Sequence, residues 1–118
     1  MEIGNIKNNV VCPVELTLRI LGGKWRGSIL YQLREEPLRF NELMRRVQDA
    51  VVYYNDEDHF LTGKVLAEHL LLLQEYKLVE KKLLVEGEKE IYKYALTEKG
   101  KSVIPILLDL YHWGETNF

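Results

Sequence analysis

The chain has 118 residues, of which 47% are hydrophobic, and this predicts one compact domain with a modest core. Sixteen Lys and Arg residues against eighteen Asp and Glu residues give a net charge of −2, so binding to nucleic acid would require a local basic face. The sequence shows no leader-like segment and no apolar run long enough for a membrane span, so we expect a cytoplasmic protein. Its single cysteine, Cys12, cannot form an internal disulfide.

The start of the chain predicts an arm followed by a first helix. Residues 1–11 show no hydrophobic periodicity and are expected to form a loosely held arm. Pro13 suits the first turn of a helix, and Gly22 and Gly23 supply a stop signal. The apolar residues between them fall on one side of the predicted helix: Leu16, Ile20 and Leu21.

Two further helices are predicted in the first half of the chain. The second covers about Lys24 to Arg34 and is stopped by Pro37, and its inward positions are Trp25, Ile29, Leu30 and Leu33. The third begins near Asn41, whose side chain suits an N-cap. Its apolar spacing continues as far as Tyr54, so this helix is expected to be longer than a minimal helix-turn-helix requires. The polar residues 55–58 then break the pattern.

The middle of the chain predicts a helix that leads directly into a hairpin. The helix opens at Thr62 or Gly63 and places three leucines on one face: Leu66, Leu70 and Leu73. Two segments of strand character follow, and they are joined by a turn at residues 86–89. The sequence therefore predicts a helix followed by an antiparallel ribbon.

A long final helix is predicted from about Glu98 to Thr116, with Thr97 as its N-cap. It carries two adjacent apolar stripes: Val103, Leu107 and Leu110, then Ile104, Leu108 and Tyr111. A small domain seldom buries so wide an apolar face by itself. We expect part of it to contact a second subunit.

A helix followed by a β-hairpin, with more helices on either side, is the element order of a winged helix-turn-helix. In that fold the helix before the hairpin can enter a DNA major groove, while the hairpin reaches the neighbouring backbone. We expect an α+β, mostly α, winged helix-turn-helix whose two-stranded hairpin is the wing, and a function in DNA-binding transcriptional regulation.

Several motifs make the chain similar to the HxlR family of bacterial transcriptional regulators, which are relatives of the MarR-type winged helices. The most specific pieces are Gly22-Gly23-Lys24-Trp25 and Arg39-Phe40-Asn41-Glu42-Leu43. Further pieces are Cys12-Pro13-Val14-Glu15, Ile29-Leu30-Tyr31-Gln32-Leu33, Leu78-Val79-Glu80, Tyr94-Ala95-Leu96-Thr97-Glu98-Lys99-Gly100, Ile104-Pro105 and Trp113-Gly114-Glu115. The resemblance covers residues 12–118 as one winged-helix domain.

The resemblance implies a homodimer, joined through its first and last helices, that binds a two-fold operator on double-stranded DNA. The interface residues that it implies are Val14, Leu18, Ile104, Leu107, Leu108, Tyr111 and Trp113. The chain departs from the family in two places. Residues 48–60 form a longer, acidic connection, and the predicted recognition helix exposes Ala67, Glu68 and Leu71 where the family usually carries Gln and Arg.

The candidate DNA contacts lie on four segments. At the start of the recognition helix, Thr62, Gly63 and Lys64 are expected to meet phosphates or base edges, with Ala67 and Glu68 beside them. The other candidates are basic or polar residues around the helix-turn-helix and on the wing: Lys24, Arg26, Arg39, Asn41, Lys81, Lys82, Lys89 and Lys93. A solvated surface is the alternative for all of them, and glutamates at the hairpin tip favour it there.

Cys12 precedes Pro13 at a predicted helix start. Thiols in such positions react with oxidants and electrophiles, and several members of the resembled family are similar in sensing these agents through a cysteine at this place. We therefore predict Cys12 as a candidate redox sensor, with a small molecule or oxidant as a possible effector. A buried, unreactive side chain is the alternative.

The sequence gives little indication of a metal site, a cofactor site or an enzyme active site. His59, His69 and His112 are scattered, and no metal-ligand spacing or glycine-rich phosphate loop is present. We expect no metal, no cofactor, no membrane partner and no enzymatic activity. The acidic segment leaves one alternative function, a winged-helix module that binds a protein or an effector and has weakened DNA binding.

Overall fold

The computed structural model describes residues 12–51 and 60–118. These residues form five helices and one antiparallel pair of strands: α1 (Pro13–Leu21), α2 (Arg26–Gln32), α3 (Phe40–Val51), α4 (Gly63–Glu75), β1 (Val79–Glu86), β2 (Lys89–Leu96) and α5 (Glu98–Asn117). The predicted element order and the mostly helical α+β class are confirmed. The predicted arm at residues 1–11 and the predicted continuation of the third helix to Tyr54 lie outside the described residues.

Two helix boundaries differ from the predictions. The second helix is shorter than Lys24 to Arg34, because Gly23 has a left-handed φ of 85° and the helix starts only after Trp25. The third helix starts at Phe40, and the carbonyl of Arg39 accepts the first intrahelical bond from the Leu43 N–H. The prediction of Asn41 as the N-cap was therefore wrong, since Asn41 already lies inside the helix.

The hydrophobic core lies between α2, α3, α4, the base of the hairpin and α5. The predicted inward residues of the second and fourth helices are all buried: Trp25, Ile29, Leu30, Leu33, Leu66, Leu70 and Leu73. Leu43 and Val47 of α3 are fully buried as well. Among the described residues no polar or charged residue is buried, so this core is stabilised by apolar burial alone.

One residue just before α3, Leu38, forms an isolated antiparallel bridge with strand β2. Leu38 pairs with Tyr94 of β2, with its N–H donating to the Tyr94 carbonyl at 3.0 Å and its carbonyl accepting from the Tyr94 N–H at 2.8 Å. Because Leu38 is itself buried, this bridge fixes the wing against the start of α3.

The hairpin is in register from Val79 opposite Leu96 to Glu86 opposite Lys89. Its turn uses Gly87 with a φ of 65°, a conformation that glycine adopts without steric cost. The strand ends near the core are buried, whereas the residues towards the turn are exposed. The wing therefore projects from a firmly packed base.

The return from the wing into α5 depends on a close backbone approach. Thr97 caps α5 by accepting from the Gly100 N–H at 3.0 Å. A Cβ on Gly100 would clash with the carbonyl oxygen of Leu78. Only glycine therefore allows the first turn of α5 to pack directly against the start of β1.

Candidate nucleic-acid interface

The fourth helix has a buried back and an exposed front. Thr62 caps it by accepting from the Val65 N–H at 3.2 Å, and Gly63 is its first residue, as predicted. The buried leucines hold one face against the core. The opposite face presents its exposed residues to solvent: Lys64, Ala67, Glu68, Leu71 and Glu75. The arrangement leaves one side of this helix available to a ligand.

Lys64 lies in the first turn of this helix and is exposed. It forms no hydrogen bond or ion pair within residues 12–51 and 60–118. Its ammonium group can therefore meet an anion without first breaking an existing interaction.

His69 lies beside the exposed face and is half-buried. Burial lowers the pKa of its imidazole, the nearby Arg26 guanidinium lowers this pKa further, and Glu68 partly offsets both effects. The neutral imidazole is thus favoured, so His69 adds no positive charge to this face near neutral pH.

The start of α3 faces the wing across an open cleft of about 650 Å³. The α3 side contributes Arg39, Asn41 and Arg45, and the β2 side contributes residues 90–92. Arg39 and Arg45 are exposed. Arg45 was not among the sequence predictions, although its position one helical turn after Asn41 could have indicated the shared face.

The two candidates before and within α2 are placed differently from each other. Lys24 is exposed and its ammonium group lies 5.8 Å from the Trp25 ring centroid. The Arg26 guanidinium instead donates to the carbonyls of Ile20 and Arg19, each at 2.8 Å. Arg26 therefore ties α2 to the end of α1, and two of its donor groups are already used within the chain.

Most of the predicted wing cations are engaged with neighbours on the hairpin. Lys82 pairs with Glu80 at 3.1 Å, and Lys93 pairs with Glu86 at 2.7 Å. The hydrogen bond and the charge of Lys93 lower the pKa of the Glu86 carboxyl. These pairs reduce the positive charge that the wing can offer to an anion.

The remaining two wing lysines differ in their surroundings. The Lys81 ammonium lies over the Tyr92 ring, 4.7 Å from its centroid. Lys89, next to the turn, is exposed and forms no hydrogen bond or ion pair within the described residues. Lys89 is therefore the wing cation with the greatest freedom to meet an anion.

The predicted interface residues fall into three groups. Val14, Leu18, Tyr111 and Trp113 are exposed, and Ile104 and Leu108 are half-buried. Leu107 is only 9% exposed and packs in the core of its own chain, so it offers little surface to a second copy and is left out of the interface assigned below. On α5 and at its C-terminal end, three further apolar side chains that were not predicted for the interface are exposed: Ile106, Leu110 and Phe118.

Cys12 is exposed and occupies the N-cap position of α1, with Pro13 as the first helical residue. It makes no side-chain capping bond. Across the described ranges no three histidine, cysteine or acidic side chains group as metal ligands. In those same ranges no helix has both the length and the apolar content of a membrane span.

Comparison with known proteins identifies the family. The family model described as HxlR-like helix-turn-helix matches residues 20–118. An uncharacterized HTH-type transcriptional regulator of Methanothermobacter thermautotrophicus is 35% identical over 105 residues, which are 89% of this chain and 71% of the relative. The family and the relatives that match this chain are transcriptional regulators rather than enzymes.

Solved structures agree with that result. The redox regulator HypR in its reduced form is 31% identical, with a TM-score of 0.71 over 90% of this chain and 93% of HypR. The reduced form of the transcriptional regulator YodB from Bacillus subtilis is 28% identical, with a TM-score of 0.71 over 92% and 95% of the two chains. The chain therefore belongs to the HxlR-like helix-turn-helix family of transcriptional regulators.

Proposed function

We propose that this protein is a DNA-binding transcriptional regulator that acts as a homodimer on a two-fold operator. The observation that carries the proposal is the exposed front of α4, which begins with Lys64, a lysine without a partner among residues 12–51 and 60–118, and which immediately precedes a projecting hairpin. A helix in this setting can enter the major groove with its N-terminal residues towards the base edges.

The phosphate contacts are assigned to α3 and to the tip of the wing. Arg39 and Arg45 line the cleft between α3 and β2, and Lys89 lies at the hairpin turn. When α4 enters a major groove, a winged helix brings its hairpin close to the adjacent backbone. Because Lys82 and Lys93 already have carboxylate partners, we assign them a smaller share of the attraction.

The dimer is supported by apolar side chains left uncovered on the first and last helices. On α1, Val14 and Leu18 are four residues apart, and on α5, Leu110 and Trp113 are three apart, so each pair lies on one helix face; all four side chains are more than half exposed. Burial of such side chains favours association. A two-fold dimer would place its two α4 helices about 34 Å apart, one turn of DNA.

The first test is a fluorescence-anisotropy titration of the full chain with duplex DNA from upstream of its own gene, at several salt concentrations. If Arg39, Arg45 and Lys89 of both protomers each neutralise a phosphate, log K should fall against log salt with a slope of roughly −5. Absence of binding to this duplex and to genomic fragments would overturn the proposal. It would favour a protein- or effector-binding module instead.

The second test concerns the dimer. Replacing Leu110 with Glu should convert the protein to a monomer in sedimentation experiments. It should also weaken DNA binding, because each protomer would then bind its half-site without the help of a partner. The matched control is Val85→Glu, an exposed apolar residue on the wing. A Leu110→Glu variant that remains a dimer would contradict the assigned interface.

A redox response is the second candidate function. HypR is a redox regulator, and one solved form of YodB is diamide-treated, while this chain has an exposed thiol at the start of α1. We infer that Cys12 reacts with oxidants or electrophiles and thereby alters DNA affinity. Diamide should change the affinity of the wild type and leave that of Cys12→Ser unchanged; equal responses would exclude Cys12 as the sensor.

A further inference from the structure

The geometry points to a base preference: α4 reads a cytosine accompanied by thymine methyl groups. We propose that Glu68 accepts a hydrogen bond from the cytosine amino group while Ala67 and Leu71 contact thymine methyls. This inference rests on the proposed DNA binding by α4 and adds the composition of the half-site.

The exposed residues of α4 form one continuous stripe. At about 100° per residue, positions 64, 67, 68, 71 and 75 fall within an arc of roughly 100°. At about 1.5 Å per residue, Lys64 and Leu71 are roughly 10 Å apart along the axis, close to three base-pair steps. A single groove can therefore meet Lys64, Ala67, Glu68 and Leu71 together.

Glu68 carries the wrong charge for a phosphate contact, yet it lies in the second turn of α4, between Lys64 and Leu71 along the helix axis. It forms no hydrogen bond or ion pair within the described parts of the chain. In the major groove a carboxylate is matched by an amino donor, and glutamate pairs with the N4 amino group of cytosine. Adenine also has an amino group, but its adjacent N7 is an acceptor that would repel the carboxylate.

Ala67 and Leu71 flank Glu68 with apolar surface. Leu71 is 61% exposed although the other leucines of α4 are buried or half-buried. The thymine C5-methyl is the apolar group that the major groove offers. Lys64, nearest the N-terminus, matches the acceptor pair O6 and N7 of guanine.

The same stripe lacks the side chains that read adenine. Asn or Gln would be needed for a bidentate contact to adenine, and none is exposed on α4. Gln74 is half-buried, and its amide donates to the Leu70 carbonyl at 3.1 Å. The stripe therefore favours guanine, cytosine and thymine on the strand that it faces.

The test is selection of bound sequences from a random duplex library by the full-length wild type and by Glu68→Gln. The wild type should enrich half-sites in which cytosine adjoins thymine. Glutamine can pair with adenine N6 and N7, so Glu68→Gln should replace that cytosine by adenine, with a preference of about fivefold or more. Glu75→Gln makes the same charge change in the last turn of α4, roughly 10 Å along the axis from Glu68 and outside the four residues that meet the groove, so it should leave the motif unchanged.

The methyl contacts are tested on the enriched duplex with uracil in place of thymine. Loss of the methyl groups should weaken wild-type binding about threefold or more, and Leu71→Ala should bind the two duplexes almost equally. If Glu68→Gln enriches the wild-type motif, or if uracil has no effect, the base assignment is wrong while DNA binding stands. If the wild type binds no duplex at all, the proposed function fails together with this inference.

Discussion

The recognition helix and the wing differ in how their charged groups are used. On α4, a back of buried leucines supports a front on which Lys64 is unpaired. On the hairpin only the base is buried, and its cations Lys82 and Lys93 are paired with carboxylates. The well-buried helix keeps its lysine available, whereas on the wing only Lys89 at the turn lacks a partner among the described residues, so we expect α4 to dominate both stability and binding.

The largest expected effect comes from the back of α4. Leu70→Ala removes a fully packed side chain and should lower the free energy of unfolding by about 2–5 kcal/mol, as measured by urea denaturation. Leu83→Ala on the half-exposed wing is the matched control and should cost less than about 1 kcal/mol. Equal losses in the two variants would contradict the contrast between the elements.

The junction between the wing and α5 should be nearly as sensitive. Gly100→Ala puts a methyl group against the Leu78 carbonyl and should destabilise the protein by about 1–3 kcal/mol or more. Gly27→Ala adds the same atom where its nearest neighbour lies at 3.7 Å, an ordinary contact. Thermal unfolding of both variants checks this, and a Gly100→Ala protein as stable as the wild type would disprove the close approach.

The affinity for DNA should depend more strongly on Lys64 than on Lys82, which is paired with Glu80. Lys64→Ala should reduce affinity for bound DNA about tenfold or more, equivalent to about 1.4 kcal/mol, with no change in thermal stability. Lys82→Ala should reduce it only slightly, since the Glu80 carboxylate already offsets the charge of Lys82 in the wild type. Anisotropy titrations decide the matter, and a larger loss from Lys82→Ala would reverse the order proposed for the two elements.

The smallest effects are changes of stability with pH. They should occur in different pH ranges for α4, through His69, and for the wing, through Glu86. The pKa of His69 is lowered in the folded protein, so the unfolded chain binds more protons and stability should decline as pH falls below about 6.5. The pKa of Glu86 is lowered too, and its contribution should be present above about 4.5 and lost as pH falls further.

The midpoint of urea denaturation, measured from about pH 3.5 to about pH 7.5, tests whether the His69 and Glu86 contributions are lost in these two different pH ranges. His69→Gln should flatten only the upper part of the profile. Glu86→Gln should flatten only the lower part. A change in the opposite window for either variant would refute the assignment.

Sequence periodicity predicted the helices, the hairpin and the leucine face of α4, because each depends on spacing within one segment. It could not predict the Leu38–Tyr94 bridge, since one isolated residue has no period and its partner is distant in the chain. It also could not predict the hydrogen bonds of the Arg26 guanidinium to the Ile20 and Arg19 carbonyls, because these form only where α1 ends beside α2.

The candidate site was predictable to the same extent. Thr62 and Lys64 follow from the helix start, which is a local signal. The burial of Leu107 depends on where α5 crosses the rest of the core, and the paired state of Lys93 depends on strand register. Both are products of packing between segments, which single-sequence periodicity does not contain.

The most direct test of the central claim, that two copies of α4 enter adjacent major grooves, is protection of guanine N7 from dimethyl sulfate. This atom faces the major groove. On an enriched duplex, the wild type should protect guanines in two major grooves about one helical turn apart, and Lys64→Ala should lose that protection at equal occupancy. Full occupancy without protection at any guanine N7 would contradict the account.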